Sequence, residues 1–332
     1  MKEKRTGGRM KVKRVKRKQK KREGRGGLVL TVLLFFFLFP FLMSGFSKRE
    51  QETFDIDHTP GQVWVMQTKF WGKLQIPLEE YLVGMMASSI PAEYEPETLK
   101  AQAILLRSFC MSQMKKEDGK KIIEDNIVKE YYLEEKQRKN LWQEKFVDYE
   151  NKIQQAILET KGMILVYEGE IINPPFFRMS NGNTRDIDEY MGVAGNLSFL
   201  KSISCEEDKM ATEYIQYVEM TQKELEKILK KSFLKSNEKI EKIVLCKDNN
   251  GYVKEVEING KKIEGELFRK AFGLSSSCFI FEKVNHMIEI QTKGIGHGFG
   301  FSQYEANQLA KNGLGYEDLI LHFYENISLE KI

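Results

Sequence analysis

The feature that most constrains this chain is a charge-free run from Leu28 to Phe46, LVLTVLLFFFLFPFLMSGF. At about 1.5 Å of rise per helical residue, its 19 residues span most of the hydrocarbon core of a bilayer. Residues 1–26 carry 14 Lys/Arg and 2 Glu, a net charge of +12, whereas the rest of the chain has 38 basic and 46 acidic residues. A basic tail beside such a run is typical of a membrane anchor whose N-terminus stays in the cytoplasm.

This pattern predicts four parts: a basic cytoplasmic tail at 1–26, a single transmembrane anchor at 27–46, a linker at 47–61 and a folded domain outside the membrane at 62–332. A cleaved signal peptide is the alternative for the apolar run, but its apolar core usually has only about 7–15 residues. The tail would also contact the anionic membrane surface. A nucleic-acid arm is the alternative, and we predict no nucleic-acid partner because the basic run adjoins an apolar span.

Local patterns in the folded domain predict a mixed α+β architecture of helices and antiparallel β-hairpins. A first helix is predicted from about Pro77 until Pro91 ends it. The next helix starts near Pro96 and has one buried face, because apolar residues recur at helical spacing at Leu99, Ala103, Leu106 and Cys110.

Further along the chain, residues 115–161 are highly charged and mostly helical in pattern. Thr221 and Glu224 form a capping-box signal that opens a Lys-rich helix. Asn250-Gly251 predicts the turn of a hairpin.

The cysteines are widely separated, at Cys110, Cys205, Cys246 and Cys278, and form no C-x-x-C pair. Outside the membrane a disulfide is allowed, and four cysteines permit three full pairings among which the sequence does not choose. Cys110 lies on the apolar helix face and is most simply a buried thiol. No histidine lies near a cysteine at the spacing of zinc ligands, so we predict no metal.

Three separated segments stand out in the folded domain: IPLEEYLVGMMASSIPAEYEPETLKAQAILLRS, FFRMSNGNTRDIDEYMG and GIGHGFGFSQYEANQLAKNG. In this order they resemble the three signatures of the stage II sporulation protein D family, which also includes the amidase enhancers. The resemblance covers about residues 62–328.

The resemblance implies peptidoglycan as the substrate. Sporulation members of the family are membrane-anchored lytic transglycosylases, which act during engulfment and cleave glycan strands to 1,6-anhydro products after an amidase has removed the stem peptides. A cell-wall amidase and a polytopic membrane protein are the partners that the resemblance implies, and no cofactor is expected. The chemistry needs one carboxylic acid, which protonates the glycosidic oxygen and then takes the proton of the muramic acid 6-hydroxyl.

The family's catalytic Glu falls on Ser89 in this chain. Pro91 and the run Leu99-Lys100-Ala101-Gln102-Ala103, which both follow it in the chain, fix the register. A serine hydroxyl neither supplies a proton nor holds one reversibly near neutral pH, so the acid is missing at this position. Glu93 is the candidate for a substitute acid, and a solvated loop glutamate is the alternative interpretation.

The resemblance also implies substrate-binding residues in each segment, namely Lys100, Gln102 and Arg107, then Ser180, Asn181 and Thr184, then His297, Ser302 and Gln303. Structural alternatives exist for all three groups: a solvated helix face, a plain turn, and a structural histidine followed by an N-cap serine. The glycine-rich third segment lacks the Gly-Lys-Ser/Thr ending of a phosphate-binding loop. Its glycines instead predict close backbone packing.

Some family members bind zinc through Cys and His residues between the first two signatures. Residues 111–159 contain neither residue type, which again predicts no metal. Two functional hypotheses remain open. One is an anchored lytic transglycosylase with a displaced or impaired acid, and the other is a non-catalytic glycan-binding scaffold that recruits or activates an amidase. A serine hydrolase is a weaker alternative, because a Ser/His/Asp arrangement cannot be argued from the sequence alone.

Overall fold

The folded part begins as a β-hairpin that leads directly into a helix. Strand β1 (Val63–Lys69) pairs antiparallel with β2 (Gly72–Pro77), and helix α1 (Leu78–Ser89) follows at once. Helix α2 (Pro96–Ser112) starts with a proline in its first turn. A backbone N–H at this position would have no partner within the helix, so its absence in proline costs no hydrogen bond. Both helices therefore begin close to the prolines that predicted their starts, and α1 also ends close to Pro91.

The computed structural model describes residues 63–69, 72–117, 120–124, 128–191 and 195–332. These residues belong to one unit, Thr59–Ile332. The predicted tail at 1–26, anchor at 27–46 and linker at 47–61 lie outside the described residues. Within the described ranges, no helix combines the length and the apolar character needed to cross a membrane.

The middle of the chain contains short strands and two helices. In chain order these are β3 (Lys115–Glu117), β4 (Lys120–Glu124), α3 (Glu135–Trp142), α4 (Phe146–Glu159), β5 (Met163–Tyr167), β6 (Glu170–Ile171) and β7 (Phe176–Phe177). Helices α3 and α4 agree with the mostly helical prediction for residues 115–161, and the β3–β4 hairpin is the part that differs. Its strand β4 pairs in parallel with β1, so tertiary pairing overrides the local pattern there.

The remaining elements complete a mixed α+β fold. They are α5 (Ile187–Met191), β8 (Ile215–Thr221), α6 (Gln222–Ser232), β9 (Ile243–Lys247), β10 (Val253–Ile258), β11 (Lys261–Glu264), α7 (Gly265–Phe272), β12 (Phe279–Val284), β13 (Met287–Lys293), β14 (Phe301–Ser302), α8 (Gln303–Lys311), α9 (Tyr316–Phe323) and β15 (Ser328–Lys331). The predicted capping box at Thr221 and Glu224 and the hairpin turn at Gly251 are both present.

The strands form several small sheets with the orders β2-β1-β4-β3, β15-β5-β6, β11-β10-β9 and β12-β13-β8, together with the pair β14-β7. Most pairings are antiparallel, as predicted. The β1–β4 and β7–β14 pairings are parallel. The α+β class is confirmed for the described residues.

Helix α2 lies at the centre of the packing, against α1, α4, β5 and α9. Its predicted buried face is confirmed, because Leu99, Ala103, Leu106 and Cys110 are all fully buried. The four cysteines are free thiols, so no disulfide joins them. Burial raises the pKa of the Cys110 thiol to about 12, which keeps it protonated.

The stretch from β8 to β13 builds a hydrophobic core of its own. Side chains from its strands and from α6 and α7 meet there, among them Met220, Leu229, Phe268, Phe279 and Ile290. Residues of α1 and one face of α2 belong to a second cluster. Other residues of α2 pack with α8 and α9 in a third cluster. The first and third motif segments are therefore packed into cores separate from the core of the β8–β13 stretch.

Candidate functional site

The C-terminal end of α1 opens onto a cleft of about 600 Å³. Four parts of the chain line it: the end of α1 with the loop that follows, the α3–α4 region, β7 with the next residue, and the start of α8. The lining side chains include Ser88, Ser89, Glu93, Leu141, Trp142, Lys145, Tyr149, Phe176, Phe177, Arg178 and Gln303. We call this space the Ser89 cleft.

Ser89 lies in this cleft, but its hydroxyl serves its own helix. Its Oγ donates a hydrogen bond to the carbonyl oxygen of Met85 at 2.6 Å. This is the local bond that serine commonly makes to the backbone four residues earlier. The cleft is therefore lined at this position by a neutral hydroxyl that is already engaged.

Gln303 joins the first motif segment to the third. Its Nε2 donates to the carbonyl oxygen of Ser89 at 2.7 Å and to Oε1 of Gln102 at 3.0 Å. Gln102 is fully buried, and its own Nε2 has no hydrogen-bond partner. The structure thus brings Ser89, Gln102 and Gln303 together, with Gln102 behind the two residues that line the cleft.

Glu93 lines the same cleft and is exposed. It is the one carboxylate among the described lining residues. Lys152 Nζ holds the loop that carries it, by donating to the backbone carbonyls of Glu93 (3.2 Å) and Tyr94. The position of the Glu93 backbone is fixed in this way, while its carboxyl group stays in contact with water.

Lys100 and Arg107 do not line the cleft, and both are engaged elsewhere. Lys100 Nζ lies 2.7 Å from Glu97 and 2.6 Å from Glu159. Arg107 is fully buried and forms a bidentate pair with Glu79 at 2.8 and 2.7 Å. Their geometry supports a role in holding α2 against its neighbours.

Ser180, Asn181 and Thr184 stabilise the central loop through bonds within the protein. Thr184 Oγ1 donates to Lys201 O at 2.8 Å, and Asn181 Nδ2 donates to Asn250 O at 2.7 Å. Of the three, Asn181 borders a cavity, a second one of about 390 Å³ that Lys209, Lys247 and Lys293 also line. None of the three lines the Ser89 cleft.

Ser302 occupies the N-cap position of α8, but its hydroxyl makes no capping hydrogen bond. It donates instead to the buried carboxylate of Asp208 at 2.7 Å, which also accepts the Ser180 N–H at 2.6 Å. This corrects the N-cap interpretation of Ser302. Asp208 connects the second motif segment to the third, and no sequence pattern indicates this role.

A second carboxylate, Glu305, lies beside Asp208 and accepts its backbone N–H at 3.2 Å. Burial raises the pKa of Asp208 to about 6. Burial, together with the charge of Asp208, raises the pKa of Glu305 to about 7. Cys205 lies within 4.8 Å of both, which makes a group of three residue types that could hold a metal ion. Burial also raises the pKa of the Cys205 thiol.

His297 packs behind the cleft rather than in its lining. Its ring centre lies 5.6 Å from that of Phe177, and its Nδ1 accepts the backbone N–H of Phe299 at 3.1 Å. Burial lowers the pKa of His297 to about 4, so the ring is neutral at neutral pH. Gly296, at φ +119°, explains part of the glycine-rich pattern, because a Cβ there would lie 2.6 Å from the Phe177 Cβ.

Comparison with known proteins shows the family to which this chain belongs. A family model described as "Stage II sporulation protein" matches residues 67–167. The chain is 32% identical over 281 residues to stage II sporulation protein D of Bacillus amyloliquefaciens, covering 83% of this chain and 80% of that protein. The chain belongs to the stage II sporulation protein D family. The protein of the same name from Bacillus subtilis (strain 168) is 31% identical over 279 residues, covering 82% and 80% of the two chains.

An uncharacterised protein of Brachyspira hyodysenteriae is also similar, at 25% identity over 261 residues, covering 77% of this chain and 67% of that protein. The family-model match extends over α1, α2 and the α3–α4 region. Of these, the end of α1 with the loop that follows and the α3–α4 region line the Ser89 cleft. Ser89, Gln102 and Glu93 all fall within the matched residues.

Sequence reasoning missed several residues of the cleft. Trp142 and Tyr149 come from the charged segment, seven residues apart, which is a helical spacing that could have indicated a shared aromatic face. Their rings meet edge to face at 5.9 Å between centres. Arg178 was inside a quoted motif segment, directly after Phe177, yet nothing in the spacing distinguishes a cleft arginine from a surface one.

Proposed function

We propose that this chain is a membrane-anchored sporulation protein that binds glycan strands of peptidoglycan in the Ser89 cleft and has an impaired lytic transglycosylase activity. Family membership supports the sporulation and cell-wall role. The observation that supports glycan binding with impaired cleavage is the position of Ser89 and the hydrogen bond that its hydroxyl makes. Ser89 lies in the cleft, is held there by Gln303, and offers a hydroxyl bonded to Met85 where the reaction needs a carboxylic acid.

The reaction depends on a group that gives a proton to the glycosidic oxygen and takes one from the 6-hydroxyl of muramic acid. Loss of a general acid or base typically costs a factor of about 10²–10⁴ in rate, and more where one residue performs both transfers. The cleft keeps its other features. It has aromatic side chains that can pack on sugar rings, and polar groups at its edges.

A cleft that binds strands without cleaving them fits a scaffold that recruits or activates a cell-wall amidase. The proposed partners are this amidase, a polytopic membrane protein and the anionic membrane surface, the last of which the basic tail would contact. The proposed location is the cell membrane, with the N-terminus in the cytoplasm and the folded domain outside.

One observation favours a second candidate, an active transglycosylase that uses Glu93. Glu93 is a carboxylate in the same cleft as Ser89. A proton transfer requires its carboxyl to come within about 2.6–3.2 Å of the glycosidic oxygen, or to act through one water. Its exposed position provides little of the desolvation that prepares a general acid.

The deciding experiment uses the full chain, purified in mild detergent, on glycan strands stripped of their stem peptides. Products with 1,6-anhydro-muramic acid ends are measured by mass spectrometry for wild type, Ser89→Glu, Ser88→Glu and Glu93→Gln. Ser88 also lines the cleft, so Ser88→Glu is the matched control for a new carboxylate at the wrong position.

We expect little product from wild type and from Ser88→Glu, and a gain of at least about 100-fold from Ser89→Glu. Efficient cleavage by wild type that Glu93→Gln abolishes would support the second candidate instead. If wild type neither cleaves nor binds the strands, the proposed function fails.

A further inference from the structure

Arg178 is the cleft residue for which the proposed function has not yet given a role. It follows β7, and its guanidinium carbon lies 5.0 Å from the centre of the Tyr94 ring. A guanidinium carries five N–H donors and remains charged at physiological pH. Its Nη1 is buried without a hydrogen-bond partner, and so is the hydroxyl of Tyr94. Arg178, which lines the cleft, and its neighbour Tyr94 therefore each have a buried polar atom without a partner.

Two carboxylates that interact electrostatically with Arg178 or with Tyr94, Glu213 and Asp208, have other partners. Glu213 accepts a hydrogen bond from Thr212 at 2.9 Å, which is the main reason why its pKa is lowered; Arg178 contributes less. Asp208 is bonded to Ser180 and Ser302. A partly buried cation without a counter-charge is unfavourable, and an anion bound beside it would remove that penalty.

The charge of the cleft points the same way. Arg178 and Lys145 are its cations and Glu93 its one carboxylate among the described lining residues, whereas the chain beyond residue 26 has an excess of acidic residues. Trp142, Tyr149 and the two phenylalanines of β7 add aromatic surface. This combination suits a ligand built of sugar rings with apolar faces that also carries a carboxylate.

We propose that Arg178 binds the lactyl carboxylate of muramic acid and thereby makes the cleft select strands from which the stem peptide has been removed. This inference rests on the proposed function. While a stem peptide is attached, the lactyl carboxyl is an amide and carries no charge. Its removal creates a carboxylate, with which an arginine can form two parallel charge-assisted hydrogen bonds, each about twice as strong as a neutral one.

The other motif cations are less suited to this task. Lys100 is held by Glu97 and Glu159, and Arg107 by Glu79. Lys145 lines the cleft but is exposed, with its ammonium 5.6 Å from the centre of the Tyr149 ring. A solvated lysine discriminates less between a carboxylate and an amide than a partly desolvated arginine does.

The test compares two ligands that differ only in charge. Strands with free lactyl carboxylates are coupled to methylamine, which converts those carboxylates to neutral amides of nearly the same size. Binding of the full chain to both forms is measured for wild type, Arg178→Gln, Arg178→Lys, Lys145→Gln and Lys223→Gln. Lys223 is exposed on α6, outside the cleft, and controls for the loss of one positive charge.

We expect wild type and Lys223→Gln to prefer the charged strands by about 10- to 100-fold, and Lys145→Gln to keep most of that preference. Arg178→Gln should bind both forms equally, at the affinity that wild type shows for the neutral form. Arg178→Lys should regain part of the preference. An unchanged thermal unfolding midpoint for the Arg178 variants excludes misfolding as the cause.

Two results would overturn the inference while the proposed function stands. Wild type could bind both forms equally well, or Arg178→Gln could keep the full preference. Absence of binding to either form by wild type would instead overturn the proposed function, and this inference with it.

Discussion

The side-chain amide of Gln303 donates a hydrogen bond to the backbone carbonyl of Ser89, with 2.7 Å between nitrogen and oxygen, although 214 residues separate the two. The same amide donates to Gln102 at 3.0 Å. These bonds join the end of α1, the middle of α2 and the start of α8. The first and third motif segments thus form one polar contact beside the cleft, and the backbone at Ser89 is fixed by it.

Replacing Gln303 should therefore affect stability as well as the cleft. Gln303→Ala removes the donor from two carbonyl oxygens in a buried setting, which should lower the free energy of unfolding by about 1–3 kcal/mol. Urea unfolding followed by tryptophan fluorescence measures the change. Gln308→Ala, on the same helix and without a side-chain bond to a described residue, should change it by less than about 0.5 kcal/mol. Equal effects of the two variants would contradict the assigned role of Gln303.

Much of the local structure could be predicted from the sequence, because the signals were local. The apolar spacing from Leu99 to Cys110 matches a buried helix face, the prolines mark helix ends, and Asn250-Gly251 forms a turn. Family motifs brought Ser89, Gln102 and Gln303 into one hypothesis before their contact was visible. For the helix face, the helix ends and the turn, the residues that determine the structure lie within a few positions of one another in the chain.

The contacts that could not be predicted depend on residues far apart in sequence. Asp208 and Glu305 lie 97 residues apart and meet only because the loop before β8 packs on α8. Strand β4 exists because β1 offers it a parallel partner. Arg107 was read as a ligand contact, and no sequence pattern connects it to Glu79, which lies 28 residues earlier on another helix.

The contrast between Arg107 and Lys100 yields a second prediction, since the resemblance assigned both to substrate binding. Arg107→Leu leaves Glu79 without its partner and removes donors from the carbonyls of Met163 and Ile157, at 3.2 and 3.3 Å. It should destabilise the protein by about 3–5 kcal/mol. Lys100→Met breaks ion pairs that are partly exposed, and should cost less than about 1 kcal/mol.

Urea unfolding at neutral pH measures both variants under identical conditions. Similar, small losses for both would mean that the Arg107 pair contributes little, and would leave Arg107 open to a role in ligand binding. A large loss for Arg107→Leu with unchanged strand binding, at a temperature where the variant is folded, agrees with a structural role.

A third prediction concerns Gly296, whose backbone conformation and close contact each exclude a side chain. Gly296→Ala places a Cβ 2.6 Å from that of Phe177, which lines the cleft. The substitution should destabilise the protein by about 2–4 kcal/mol, the sum of backbone strain and overpacking.

Gly260→Ala separates the two causes, because Gly260 also has a positive φ, of +85°, but nothing lies within 4 Å of an added Cβ. It should show only the backbone cost of about 1–2 kcal/mol. Strand binding should weaken in Gly296→Ala and stay unchanged in Gly260→Ala. The close contact would have no consequence for the cleft if both variants bound strands like wild type.

The fourth prediction uses the buried carboxyl pair formed by Asp208 and Glu305. The pKa of Glu305 is raised by burial and by Asp208 to about 7, from an ordinary value of 4.5. Between these pH values the folded protein keeps a proton that the unfolded chain has released. Stability must therefore fall as pH rises through this window, by at most about 1.4 kcal/mol per pH unit for one proton.

Glu305→Gln removes this titration and should flatten the pH dependence of stability between about pH 4.5 and 7. Part of the slope should remain, because burial also raises the pKa of Asp208, to about 6. Glu282→Gln, at an exposed position on β12, is the matched control and should retain the slope of wild type. Unfolding midpoints in urea, taken at half-unit steps from pH 4 to 8, provide the measurement. Identical slopes for wild type and Glu305→Gln would mean that Glu305 is already ionised in the folded protein, and that the hydrogen bond from the Asp208 N–H outweighs its burial.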